Sequence, residues 1–253
     1  MLIAYASLLA VALAQPAADT VRLEVGAREV DARIYAPHAA RVRVRVGDGE
    51  GRLTSEWTNE LTLGDSAGLR VMRWVTKGKR IQPAGDTVTW ELRQTYDART
   101  LAPYGYDSRS STGTFAQLRL DGKRVHGTRR TAPDAAVQTV DHLLDRPGFF
   151  AGASDLVPLA VGLKAGAVMI APFWGPAMTV SELRIFTVLP KATVNVEGSM
   201  VSAWKVEERR YNDRRLLATW YLTEESPYMV YGEVPLPNGQ VQRMTEVPIP
   251  AGR

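Results

Sequence analysis

Apolar and polar residues alternate with period two along most of the chain. TVRLEV places Val21, Leu23 and Val25 on one side, and RVRVRV sets Val42, Val44 and Val46 against Arg41, Arg43 and Arg45. VTWELRQTY sets Val88, Trp90, Leu92 and Tyr96 against Thr89, Glu91, Arg93 and Thr95. ELRIFTVL puts Leu183, Ile185 and Leu189 on one face, and LLATWYL does the same with Leu216, Ala218, Trp220 and Leu222. One buried and one wet face is the mark of antiparallel sheet. Turn signals separate these runs at Gly47-Asp48-Gly49, Lys77-Gly78-Lys79, Ala84-Gly85-Asp86, Asp121-Gly122, Asn212-Asp213 and Asn238-Gly239. In LRLDGKRVHG, Asp121-Gly122 supplies the positive φ angles of a tight hairpin. The pattern predicts a mainly β fold: a single strongly curved antiparallel sheet or unclosed β-barrel.

Helix is scarce. GASDLVPLAVGL is the best candidate, with Ser154 or Asp155 capping a short helix toward Leu163 that would act as a lid. AGAVMIAPFWGP reads as a buried strand leading into a loop. DARIYAP and DARTLAP echo one another at Asp31 and Asp97; we read the echo as chance, because no fixed period supports a repeat architecture.

The first residues change the picture of where the protein works. Leu2 to Ala14 is apolar and uncharged, and Ala12-Leu13-Ala14 has the small-x-small form that precedes signal-peptidase cleavage. We expect a signal peptide over 1–14 and one β-rich domain over 15–253, periplasmic or secreted. A membrane span needs about 20 apolar residues, so no integral span is expected. The absence of cysteine excludes disulfides, thiolate metal sites and lipidation of an N-terminal cysteine. The net charge of +4 and pI near 9.4 would permit nucleic-acid binding, but export argues against it.

Candidate chemistry is thin. Gly64-Asp65-Ser66-Ala67-Gly68 matches the G-x-S-x-G elbow of serine esterases, yet the following LRVMRWVTKGKR alternates like a strand, and no βαβ rhythm follows. We therefore read Ser66 as part of a turn. Asp141 and His142 are adjacent, which points them apart on a strand, so no metal site is expected. Glu207-Glu208 and Glu224-Glu225 read as solvated charges, and Arg41, Arg43 and Arg45 as protection of an exposed edge strand. The six tryptophans leave two readings open: core filling, or the lining of an apolar pocket.

YDARTLAPYGYDSRS, LRLDGKRVHGT, DLVPLAVGLKAG, AWKVE and ATWYLTEESPYMVYGEV occur in an order that resembles the bacterial envelope proteins grouped as domain of unknown function 3108. Asp97, Thr100, Leu101 and Pro103 match its D-x-x-T-L-x-P turn, and Asp121, Gly122 and Val125 its D-G-x-x-V hairpin. Leu156, Pro158 and Leu159 match its apolar segment, and Trp204 and Trp220 its late hairpin, over about residues 60 to 235. The resemblance implies an open barrel similar to periplasmic lipoprotein carriers, whose concave face holds acyl chains. It supplies no catalytic residue and no cofactor.

The reading we adopt is an exported, non-enzymatic protein binding a lipid or lipoprotein acyl chain. Trp90, Trp204 and Trp220 would line the sheet, Leu156, Leu159 and Leu163 the covering helix, and Phe173 and Trp174 the rim. An envelope structural or interaction module with a filled core is the second reading, a serine esterase at Ser66 the third, and an outer-membrane barrel the fourth.

Overall fold

The computed structural model describes residues 20–47, 51–82 and 85–249. The expected signal peptide, its Gln15 boundary and the turn residues Asp48 and Gly49 lie outside them.

The alternating runs form β1 (Thr20–Arg22), β2 (His38–Val46), β3 (Arg52–Ser66), β4 (Leu69–Ile81), β5 (Thr87–Asp97) and β6 (Pro103–Ser110). Next come β7 (Phe115–Asp121), β8 (Arg124–Arg130), β9 (Gln138–Leu143) and β10 (Phe149–Phe150). After the helix α1 (Leu156–Val161) follow β11 (Val168–Trp174), β12 (Glu182–Val196), β13 (Ser199–Arg210), β14 (Leu216–Leu222), β15 (Met229–Pro235) and β16 (Val241–Pro248). All belong to one curled, unclosed sheet in the order β1-β11-β12-β13-β14-β15-β16-β2-β3-β4-β5-β6-β7-β8-β9, with β10 also on β11.

Two antiparallel meanders, β2–β9 and β11–β16, are therefore joined where β16 pairs with β2, in the register Met244↔Val44. The curl brings the β10–β11 end over β5 and β6. The Phe150 ring lies 5.2 Å from Tyr96, 5.8 Å from Tyr106 and 6.0 Å from Trp174. Such a core holds by removing aromatic area from water.

The expected lid is a plug. Leu156, Val157, Leu159 and Ala160 of α1 are all buried. Asp31 N donates to Ala160 O at 2.7 Å, and the Tyr35 hydroxyl donates to Leu156 O. The helix stops before Leu163, and neither expected cap is used as one: the Asp155 side chain makes no capping bond and Ser154 Oγ bonds to Glu208.

Several local expectations need correction. Lys77-Gly78-Lys79 is no turn but lies inside β4. On β12 the main core takes the other face: Phe186 and Val188 join it, while of the expected Leu183, Ile185 and Leu189 only Ile185 is buried, outside that cluster. The arginine row stands on a central strand paired on both sides, where Arg43 meets Glu56 at 3.3 Å and Glu197 at 2.8 Å, so it guards no edge. The two DAR segments also meet, with Ala32 N donating to Arg99 O at 2.7 Å; each opens with an aspartate accepting from the backbone two residues on.

Ser66 stands at an exposed hairpin end, followed by Ala67 at φ 50° and Gly68 at φ 79°. A turn that depends on positive φ fails when a β-branched residue replaces its glycine. Gly68→Val should cost about 1 kcal/mol or more in a denaturant titration, while Ser66→Ala should stay within about 0.5 kcal/mol.

Candidate functional site

The inward positions of β3, β4 and β5 form a grid of side chains. Cross-strand register sets Trp57, Gly78 and Trp90 in one row, Asn59, Thr76 and Leu92 in the next, and Leu61, Trp74 and Gln94 in the third. Gly78 is what allows two indoles in the first row. A Cβ there would lie 2.4 Å from Trp57 Cβ, while its absence lets the Trp57 and Trp90 rings approach to 5.8 Å. Across the curl stand Met229, Met244 and Glu246 from β15 and β16, together with Gly152, Ala153 and Asp155 ahead of α1. Between these walls lies a cavity of about 150 Å³.

Its polar groups form a short chain that ends in the Glu246 carboxyl. Thr76 Oγ1 donates to Asn59 Oδ1 at 3.0 Å, and Asn59 Nδ2 donates to Glu246 Oε1 at 3.0 Å. Among the described residues nothing donates to Glu246 Oε2, and the Asp155 carboxyl has only its own backbone N–H. Burial, reinforced by the charge of Glu208, pushes Asp155 up to about 7. Burial also pushes Glu246 up to about 8, with Asp155 adding to the rise and the Asn59 hydrogen bond opposing it. No lysine or arginine lines this cavity among the described residues.

A larger cleft opens beside it because β15 and β16 part. Their pairing ends at Tyr231↔Thr245; beyond that point β15 continues with β14 and β16 with β2. The outer arm of the β12–β13 hairpin, past a bulge between Leu189 and Lys191, stands along this wedge. The resulting cleft of about 500 Å³ is lined by Trp204, Leu222, Val196, Val201, Val230 and Val247, with Lys191, Glu224 and Glu225 among its polar residues. Trp204 Nε1 donates to Glu224 Oε1 at 3.2 Å, and Lys191 Nζ lies 5.0 Å from the centre of the Trp204 ring. Glu246 lines both spaces.

The eight expected site residues are thus not brought together. Trp90 is in the cavity and Trp204 in the cleft. Leu156 and Leu159 pack inside the core, and Leu163 packs against it beyond the helix end. Phe173 and Trp174 are not at a rim: both are 0% exposed, and Trp174 Nε1 donates to Met178 O at 3.0 Å. Trp220 Nε1 donates to Glu208 Oε2 at 2.7 Å, and its ring covers Gly232.

Sequence reasoning missed Trp57, Trp74, Asn59, Thr76, Gly78, Asp155, Met229, Met244 and Glu246. The signal for Glu246 was a break in pattern: in VQRMTEVP it shares the inward face of Met244, where an apolar residue is expected. Asp141 is held by Arg124 at 2.9 Å, beside His142 rather than converging with it. Among the described residues no group of three or more His, Asp or Glu is placed to hold a metal ion.

These features define a β-barrel-like protein built on one unclosed sheet. A solved structure has the same fold: a β-barrel-like protein of domain of unknown function DUF1849 from Brucella abortus, at TM-score 0.52 and 10% identity, over 88% of this chain and 98% of that one. No known family pattern and no curated protein matches this chain. What stands of the resemblance is therefore a β-barrel-like architecture. Among the described residues no helix is long and apolar enough to cross a membrane.

Proposed function

We propose that this is an exported, non-enzymatic binding protein that receives an acyl chain or similar extended apolar ligand in the cleft between β15 and β16. The observation that carries this reading is the cleft itself. Its volume of about 500 Å³ falls within the usual range of small-molecule sites, and valines, Leu222 and Trp204 give it a continuous apolar share beside polar residues that include Lys191, Glu224 and Glu225. Burial of a chain there would supply about 25 cal/mol per Å², less the cost of ordering it. The apolar N-terminal run supports export, and the resemblance to lipoprotein carriers supports the ligand class.

Titration with dodecanol below its solubility limit, followed by tryptophan fluorescence, tests the reading. Saturable binding is expected. Ser202→Trp, which adds bulk at an exposed position of the cleft wall, should weaken it about tenfold or more without lowering thermal stability. Trp204→Ala should weaken it as well. The filled-module reading rests on the tight packing of Leu156, Leu159, Phe173 and Trp174. It expects no saturable binding by any chain.

A further inference from the structure

The geometry points to the cavity between Trp57, Trp74 and Trp90 as a seat for an ammonium group, so that the ligand is an amine-bearing amphiphile rather than a fatty acid. This deepens the proposed function and rests on it for the tail, which would leave the seat past Glu246 into the cleft.

Three observations converge. The first is shape: a cavity of about 150 Å³ is the size that takes a benzene-like guest, and a trimethylammonium group has similar girth. The second is the lining, since a cation within about 6 Å of an indole face is attracted by the ring quadrupole, and more strongly when desolvated. Three indoles stand around this space. The third is a missing counter-charge. Elsewhere in the interior the protein supplies its own cation to a buried carboxylate, as Arg184 does for Glu208. At the half-buried Asp155 and the buried Glu246 it supplies none, and nothing donates to Glu246 Oε2 where it faces this space.

A buried carboxylate without a partner is costly, and a ligand cation would remove that cost. An anionic head group would meet two carboxyls and no base. A metal ion would meet indole and thioether walls where hard cations need a shell of oxygens.

Proton linkage adds a signature. Asp155 faces Glu208 with its Arg184, the phenols of Tyr35 and Tyr96, and Glu246; Glu246 faces Asn59 and Asp155. Burial keeps both cavity carboxyls partly protonated near neutrality. An ammonium guest favours their ionised forms, so its affinity should rise from about pH 6 to about pH 8.5.

The test compares dodecyltrimethylammonium, dodecanol and dodecanoate, each below its micelle or solubility limit, together with tetramethylammonium alone. The expected order at about pH 8 places the trimethylammonium chain about tenfold or more ahead of dodecanol, with dodecanoate weakest. Tetramethylammonium should displace the cationic chain. Asp155→Asn and Glu246→Gln keep shape, remove charge, and should abolish the preference for the cationic chain over dodecanol. Equal or tighter binding of dodecanol or dodecanoate would overturn the ammonium seat and leave the cleft reading standing. Persistence of the preference in the double variant would overturn it too. Saturable tetramethylammonium binding without dodecanol binding would support the seat and refute the cleft. Binding of none of the four would refute both.

Discussion

Arg184→Ala should lower the unfolding free energy by about 3–5 kcal/mol, the usual cost of stranding one member of a buried ion pair. Arg184 is the counter-charge of Glu208, whose carboxylate is 2% exposed on its side-chain surface. The same carboxylate accepts Ser154 Oγ at 2.8 Å and Trp220 Nε1 at 2.7 Å. One group thus ties β12, β13, β14 and the approach to α1. The guanidinium also lies 5.0 Å from the centre of the Phe173 ring and pairs with Glu182 at 3.5 Å. Removing it leaves a buried negative charge facing hydroxyl and indole donors alone, while the neighbouring Asp155 already resists ionisation. Equilibrium denaturation of Arg184→Ala beside Arg184→Met with Glu208→Leu checks the argument. The double variant should recover only part of the loss, because it avoids the desolvated charge but leaves Ser154 Oγ and Trp220 Nε1 without their acceptor. A single variant within about 1 kcal/mol of wild type would show that the pair is not load-sharing in the core.

The second large effect is on pH. Asp155 and Glu246 titrate at about 7 and about 8 in the folded protein, against about 4 for free carboxyls. Between pH 4 and 8 the native state therefore holds more protons than the unfolded chain, and stability falls as pH rises through that window. Acidifying the ligand-free protein from about pH 8 to about pH 5.5 should stabilise it by roughly 2–4 kcal/mol, or a rise in Tm of about 5–10 °C. His38 opposes this in part: burial lowers its pKa, so protonation of the unfolded chain costs stability below about pH 6.5. The paired carboxylates whose pKa values are lowered, such as Asp97 and Asp145, withdraw stability only in stronger acid. Thermal melts of Asp155→Asn with Glu246→Gln should lose the rise on acidification and keep only the small fall that His38 causes. A wild-type protein that melts lower at pH 5.5 than at pH 8 would refute the assignment.

The sheet was legible because most strands carry one apolar parity. RVRVRV buries Val42 and Val44 as its alternation requires. The turn at Ser66 was legible because two small, flexible residues follow it. In β12 both parities are apolar, Leu183, Ile185 and Leu189 against Phe186 and Val188, so alternation cannot choose a face. Arg184 then sits inside because Glu208 is there to receive it, a pairing made across strands and invisible to local pattern. The site was less legible still. Asp155 looks like a helix cap and Gly78, between two lysines, like a turn; each takes its role from a partner more than 20 residues away. In LRLDGKRVHG the hairpin was correct but its centre is Gly122-Lys123, with Gly122 alone at positive φ (56°). Trp90 lines the cavity and Trp204 the cleft, whereas the fully buried Trp174 shows that ring size alone does not separate pocket from core.

The seam between β16 and β2 has a kinetic meaning. Gln242 pairs with Val46 and Met244 with Val44, contacts whose two sides are separated by about 200 residues of intervening chain. Each meander can assemble from neighbouring hairpins, but the curl cannot acquire its two inner walls until the seam is stitched. Loop closure on that scale is slow, and it postpones the most distant contacts to the end. A chain emerging from its N-terminus would therefore expose the hydrogen-bonding edge of β2 throughout its synthesis. The seam makes that edge the last hydrogen-bonding row of the sheet to be covered.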